Sequence, residues 1–209
     1  MNSRAYLKNY LRSLELLFLA VLLGGCFQAT NKFYADSDVV TDIRFEGRFE
    51  PQSASNDPSV PCSAVVKLDD NKHYAVTVRE GDDWIKLEAV LFKNGTNLFV
   101  DICQLSDSTK HNDNGDRPST LGMLRRGTAD KNHVAIRCEF VENGIEGQIA
   151  DGVPFVRAIQ KDRTLKLRPV DDHFGVLLEP TERLRTFLAK IGNDPTVYME
   201  KARWIRTSR

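Results

Sequence analysis

The sequence lacks most of what would announce a chemistry. It contains no Gly-x-Ser-x-Gly, His-Glu-x-x-His, Cys-x-x-Cys, Gly-x-Gly-x-x-Gly or phosphate-loop pattern, so the common catalytic and nucleotide-binding motifs are without their residues. Histidine is scarce. His73, His111, His133 and His173 stand far apart, with no close pair to make a local metal site. Charge of one sign is lacking too, because 29 basic residues balance 29 acidic ones, which gives no reason to expect nucleic acid as a partner. No apolar stretch approaches the roughly 20 residues that a membrane-spanning helix needs. From these absences no catalytic residue, no metal site and no cofactor is expected.

What is present begins at the start of the chain. Arg4, Lys8 and Arg12 precede an unbroken apolar run from Leu16 to Leu23, and Gly24-Gly25 follow it. A basic region, a short apolar core and small residues, in that order, make a secretory signal. The A-x-A-like spacing of an ordinary cleavage site is missing. What stands there is Leu23-Gly24-Gly25-Cys26, which resembles the lipobox of bacterial lipoproteins.

That resemblance implies that residues 1–25 are removed and that Cys26 becomes an acylated N-terminus, facing the periplasm or the cell surface. Stable anchoring takes two or more acyl chains, at about 0.8 kcal/mol per buried methylene. Phe27 stands where the lipoprotein sorting pattern puts aspartate for inner-membrane retention, which implies the outer membrane in a host with two membranes. Removal of the signal takes away three basic residues and one acidic one, leaving 26 and 28 in a mature chain of 184 residues. That length suffices for one domain with a core. Residues 26–37 hold no sustained period and read as a lipidated tether.

From Val39 the period is two. Val39, Thr41, Ile43, Phe45, Gly47 and Phe49 alternate with Val40, Asp42, Arg44, Glu46, Arg48 and Glu50, predicting a half-buried strand. Pro51 to Pro61 is a polar loop. Ala64–Leu68, then Tyr74, Val76 and Val78, then Ile85, Leu87, Ala89 and Leu91 continue the alternation, with turns at Asp69-Asp70-Asn71 and Gly81-Asp82-Asp83. Asn94-Gly95 and Asn143-Gly144 are hairpin signals, leading into Leu98–Leu105 and Ile145–Ala150. Between them lie a polar excursion over 106–130 and a strand at Val134, Ile136, Cys138 and Phe140. Val153–Ile159, Leu165–Arg168 and Phe174–Leu178 complete eight to ten short strands. The expected fold is mainly β, an antiparallel barrel or sandwich over residues 38–178, and a parallel doubly wound sheet is excluded.

The C-terminal segment, 179–209, changes period. Leu184, Phe187, Leu188 and Ile191 form the stripe of an amphipathic helix packed on the β domain, started by Pro180 or Thr181 and capped at Gly192. Asp194-Pro195 predicts the start of a second helix carrying Tyr198, Ala202 and Ile205. On it, Lys201, Arg203, Arg206 and Arg209 read as cations favoured near a helix C-terminus by its dipole, ahead of a phospholipid-facing patch.

The hairpin Ala89-Val90-Leu91-Phe92 with Leu98-Phe99-Val100-Asp101-Ile102, together with Leu177 to Leu188, is similar to a widespread group of uncharacterised bacterial lipoproteins. The similarity implies a β-rich domain with a closing C-terminal helix and carries no active site. Gly47-Arg48-Phe49 more weakly resembles the Gly-x-Trp step of lipocalins, with phenylalanine in place of tryptophan, which puts a lipocalin-like barrel among the shapes expected.

After acylation of Cys26, Cys62, Cys103 and Cys138 remain, and one disulfide in any of three pairings is open to them. Cys138 shares its face with Val134, Ile136 and Phe140 and reads as a buried thiol. His111–Asp116 lacks the glycine and glutamate of a calcium loop, and Asp171-Asp172-His173 reads as a turn. Two function classes follow. One is a non-catalytic envelope module holding an apolar ligand or an envelope protein. The other is an envelope hydrolase, to be recognised by two histidines gathering with Asp101, Asp113 or Asp116.

Overall fold

A computed structural model describes residues 27–52, 62–110, 128, 131–150, 152–162, 165–169, 175–199 and 201–208. Residues 1–26, which hold the expected signal segment and Cys26, the loop before Cys62, residues 111–127 and 129–130, and Asp171–His173 lie outside the described residues.

The fold is mainly β, as the alternation requires. Eight antiparallel strands close into a barrel: β2 (Gly47–Pro51), β3 (Cys62–Leu68), β4 (Tyr74–Glu80), β5 (Asp83–Asn94), β6 (Asn97–Lys110), β7 (Val134–Val141), β8 (Gly144–Gln148) and β11 (Ala202–Ser208). β2 to β8 follow one another as a meander, and β11 closes the ring between β8 and β2. A barrel of eight strands has an interior just wide enough for side chains to fill or for one small ligand. Here Phe49, Val66, Val76, Val78, Ile85, Leu87, Leu91, Val100, Ile102 and Cys138 are among those that fill it. At the Gly95 end Phe45 turns inward and meets the Tyr74 ring edge-on, with centroids 4.8 Å apart.

A second layer covers the outside of β5, β6 and β7. It consists of a three-stranded sheet, β1 (Phe27–Ala29), β10 (Gly175–Leu177) and β9 (Leu167–Pro169), and of two helices, α1 (Gly152–Lys161) and α2 (Thr181–Ile191). Val90, Phe92 and Phe99 point outward from the barrel into this layer, where they join Phe33, Tyr34, Phe155, Leu177 and the α2 stripe. Leu184, Phe187, Leu188 and Ile191 are all buried, at about 1.5–3 kcal/mol for each large side chain.

Five local expectations are corrected. Residues 27–37 are no tether. β1 lies parallel to β10 with Phe27 opposite Gly175, and Phe33 and Tyr34 are buried; aromatic burial holds them without any period. The alternation from Val39 is not one strand. Asp42 accepts a bond from the Arg44 amide and turns the chain into a single 3₁₀ turn at Ile43–Phe45, so Ile43 is 65% exposed and the strand starts only at Gly47.

Val153–Ile159 is helical, because Pro154 suits a first helical turn and not a paired strand, while Phe155 and Ile159 make a buried i, i+4 pair. After Asp194-Pro195 the helix stops within one turn, and residues 202–208 form β11. Trp204, Ile205 and Thr207 favour strands, and without them β2 and β8 would each present an unpaired edge. The two Asn-Gly turns also shift by one residue: Gly95-Thr96 and Glu142-Asn143 are the loop pairs, and Gly144 belongs to β8.

Candidate functional site

On the outer wall of β5–β6–β7, one group of polar side chains lies beneath the N-terminal segment. Strand alternation turns Phe99, Asp101 and Cys103 outward, opposite Val100 and Ile102. Because the N-terminal segment lies over this face, Asp101 is only 2% exposed. Its carboxylate accepts a bond from the Phe33 amide at 3.1 Å, and both oxygens lie 3.1 Å from Nδ1 of His133. His133 in turn pairs its backbone with Ala29, in both directions, at 2.8 and 2.9 Å. One residue earlier, Asn132 donates to Gln28 at 2.7 Å in a buried bond. Asp101 therefore joins β6, the start of β7 and the N-terminal segment at a single carboxylate.

The electrostatics follow from that burial. Desolvation pushes the Asp101 carboxyl above its ordinary range, against the opposing pull of His133 and the Phe33 amide. Burial works to lower the His133 pKa, but the Asp101 hydrogen bond and charge, with Glu88, prevail and raise it. Burial, Asp101 and Glu88 also hold the Tyr34 phenol well above its usual value. Glu88, opposite Cys103 in the β5–β6 register, has its carboxylate 3.3 Å from Nδ1 of His73.

A carboxylate that orients an imidazole through Nδ1 is the outer half of a general-base arrangement. Nε2 of His133 has no partner among the described residues, so it is the nitrogen available for a proton. Among the described residues no hydroxyl or thiol is hydrogen-bonded to His133. Burial, with Glu88 and Asp101 nearby, pushes the Cys103 thiol up to about 11, and its Sγ donates to the Gln104 carbonyl at 3.7 Å. Such a thiol is the reverse of an activated one. Among the described residues no group of three or more His, Cys, Asp or Glu side chains is placed to hold a metal ion.

A separate cleft of ≈ 440 Å³ lies beside the Gly95 end of the barrel, where Arg44, Asn97, Arg137, Glu139, Glu146 and Lys201 contribute polar walls over Leu98 and Phe140. Lys201 bridges Glu139 at 2.9 Å and Glu146 at 3.0 Å, and Arg44 lies over the Phe140 ring. The cations placed by sequence near a helix C-terminus are thus on or beside β11. Arg203 donates to the Glu142 carbonyl, and Arg206 to the carbonyls of Ile43 and Arg44. Arg209 lies outside the described residues.

Of the residues singled out from sequence, Asp101 gathers with one histidine directly, and His73 reaches the same face through Glu88. His111, Asp113, Asp116 and His173 lie outside the described residues. Cys62, Cys103 and Cys138 stand on three different strands and are not disulfide-linked to one another. Cys138 is buried in the barrel, and desolvation raises its thiol to about 12. The Asp101–His133 pair had one legible signal: an aspartate inside the apolar run Leu98-Phe99-Val100-Asp101-Ile102. No family model, curated protein or solved structure matches this chain.

Proposed function

We propose that the protein is a membrane-anchored bacterial lipoprotein whose β-barrel domain is a non-catalytic module of the cell envelope. The observation that carries this reading is the order of features at the start of the chain: Arg4, Lys8 and Arg12, then the apolar run Leu16 to Leu23, then Leu23-Gly24-Gly25-Cys26. Acyl chains on Cys26 supply the membrane contact, and Phe27 beside the cysteine favours the outer membrane where the host has two. The buried side chains of the barrel interior are apolar, which suits an apolar ligand as one occupant. An envelope protein meeting the charged cleft beside the Gly95 end is the other partner the surface suits.

Metabolic labelling with a fatty acid tests the anchor. The wild-type chain incorporates the label, whereas Cys26→Ser incorporates none and accumulates as uncleaved precursor. Label persisting in Cys26→Ser would defeat the reading.

The Asp101–His133 pair favours a second reading, a hydrolase using His133 as general base. Labelling of the native protein by a fluorophosphonate or iodoacetamide probe, lost in His133→Gln, would move the assignment there.

A further inference from the structure

We infer that the domain is held flush against the membrane, with the end of the small sheet at which Phe27, Gly175 and Pro169 pair facing the lipid headgroups; this rests on acylation of Cys26. Covalent geometry carries the step. The Cα of Cys26 lies one trans peptide, about 3.8 Å, from that of Phe27. Phe27 is fixed opposite Gly175, and Gly175 opposite Pro169. Acyl chains at Cys26 must enter the bilayer, so Phe27 sits at headgroup depth and brings that end of the sheet with it.

The connection has no slack to release. Ala29 is bonded on both sides, to His133 and through its β10 pairing, Thr30 donates to Leu177, and Phe33 donates to Asp101. Orientation follows from the same pairings. β1 runs away from the membrane toward Ala29 and Leu177, after which the chain enters α2. β3 lies four strands from β7 around the ring, so it forms the barrel wall opposite the one that carries β1. The partner on this face is the lipid surface itself, and the domain meets it with the Phe27 end of the small sheet nearest the headgroups.

The test uses the mature lipidated protein, purified from membranes and returned to vesicles of phosphatidylethanolamine and phosphatidylglycerol. A photo-crosslinking phenylalanine analogue replaces either Arg168, exposed on β9 beside the Phe27 end, or Lys67, exposed on β3. Lipid adducts are expected at position 168 and not at 67. A Gly/Ser spacer of about 20 residues between Cys26 and Phe27, reaching about 25 Å on average, should abolish the adduct at 168. Mass spectrometry of the N-terminal peptide accompanies each sample.

Equal labelling at both positions, no labelling at 168, or labelling that survives the spacer would overturn this placement while the acyl mass upholds the anchor. An unmodified Cys26 would overturn both.

Discussion

The carboxylate of Asp101 and the imidazole of His133 meet 3.1 Å apart on the outside of the barrel, beneath a segment that sequence alone assigns to a tether. The same carboxylate holds the Phe33 amide, so this pair fastens the segment next to the proposed lipid anchor. Replacing His133 by Ala leaves a buried carboxylate with only that amide as partner. The expected loss is about 3 kcal/mol, near the low end for breaking a buried pair because the imidazole is partly exposed. Chemical denaturation of the two proteins measures it.

The pair also gives stability a pH dependence of definite sign. His133 is raised above its ordinary 6.5 in the folded protein, so the folded state binds this proton more tightly than the unfolded chain. Its contribution is complete below pH 6.5 and fades as pH rises through the higher folded value. Asp101, also raised, acts in the same direction from its ordinary 3.8 upward. Melting temperatures between pH 5 and 9 should fall more in the wild type than in His133→Gln. Parallel curves would remove His133 from the explanation.

α2 is part of the wall and not a detachable arm. Phe187 is buried and stands edge-on to Phe155, with centroids 5.3 Å apart. Phe187→Ala should cost about 3–5 kcal/mol, read from thermal or denaturant unfolding. Truncation at Glu179 is the harsher change, because it removes β11 along with α2 and opens the barrel; no cooperative transition is expected to remain. Wild-type melting in either variant would return the helix to a docking role.

Much of this was legible in the residues, and the failures share a cause. The stripe at Leu184, Phe187, Leu188 and Ile191 and the alternation from Tyr74 to Leu91 each have one face in a core, so their period shows. Residues 202–206 carry strand-forming side chains after a helix-start signal, and only the two open barrel edges decide between them. Phe33 and Tyr34 have no period because they pack as single aromatics. The Asp101–His133 pair needs β6 and β7 side by side, a long-range fact that no local spacing encodes.

Barrel closure has its own test. A Cβ on Gly144 would collide with the carbonyl oxygen of Trp204, at the seam where β8 meets β11. Gly144→Ala should therefore separate the seam or force the backbone apart, lowering the melting temperature by several degrees, while Gly95→Ala meets no neighbour and bears only the cost of its positive φ. A Gly144→Ala protein as stable as wild type would contradict the closed ring.

The thiols of Cys103 and Cys138, raised to about 11 and about 12 by burial, should remain almost wholly protonated at pH 7.5. Neither is expected to react with Ellman's reagent until denaturant is added. Rapid labelling of Cys103 in the native protein would show a thiolate that this environment does not support.

The most direct measurement of the central claim, that the chain next to the proposed anchor belongs to the folded body, is amide hydrogen exchange over residues 28–40. The amides of Ala29, Thr30, Phe33 and Val40 donate to His133, Leu177, Asp101 and Leu91 respectively. They should exchange as slowly as amides of the barrel strands, through unfolding of the domain. Exchange at the rate of a free peptide would make this segment a tether after all and would contradict the claim.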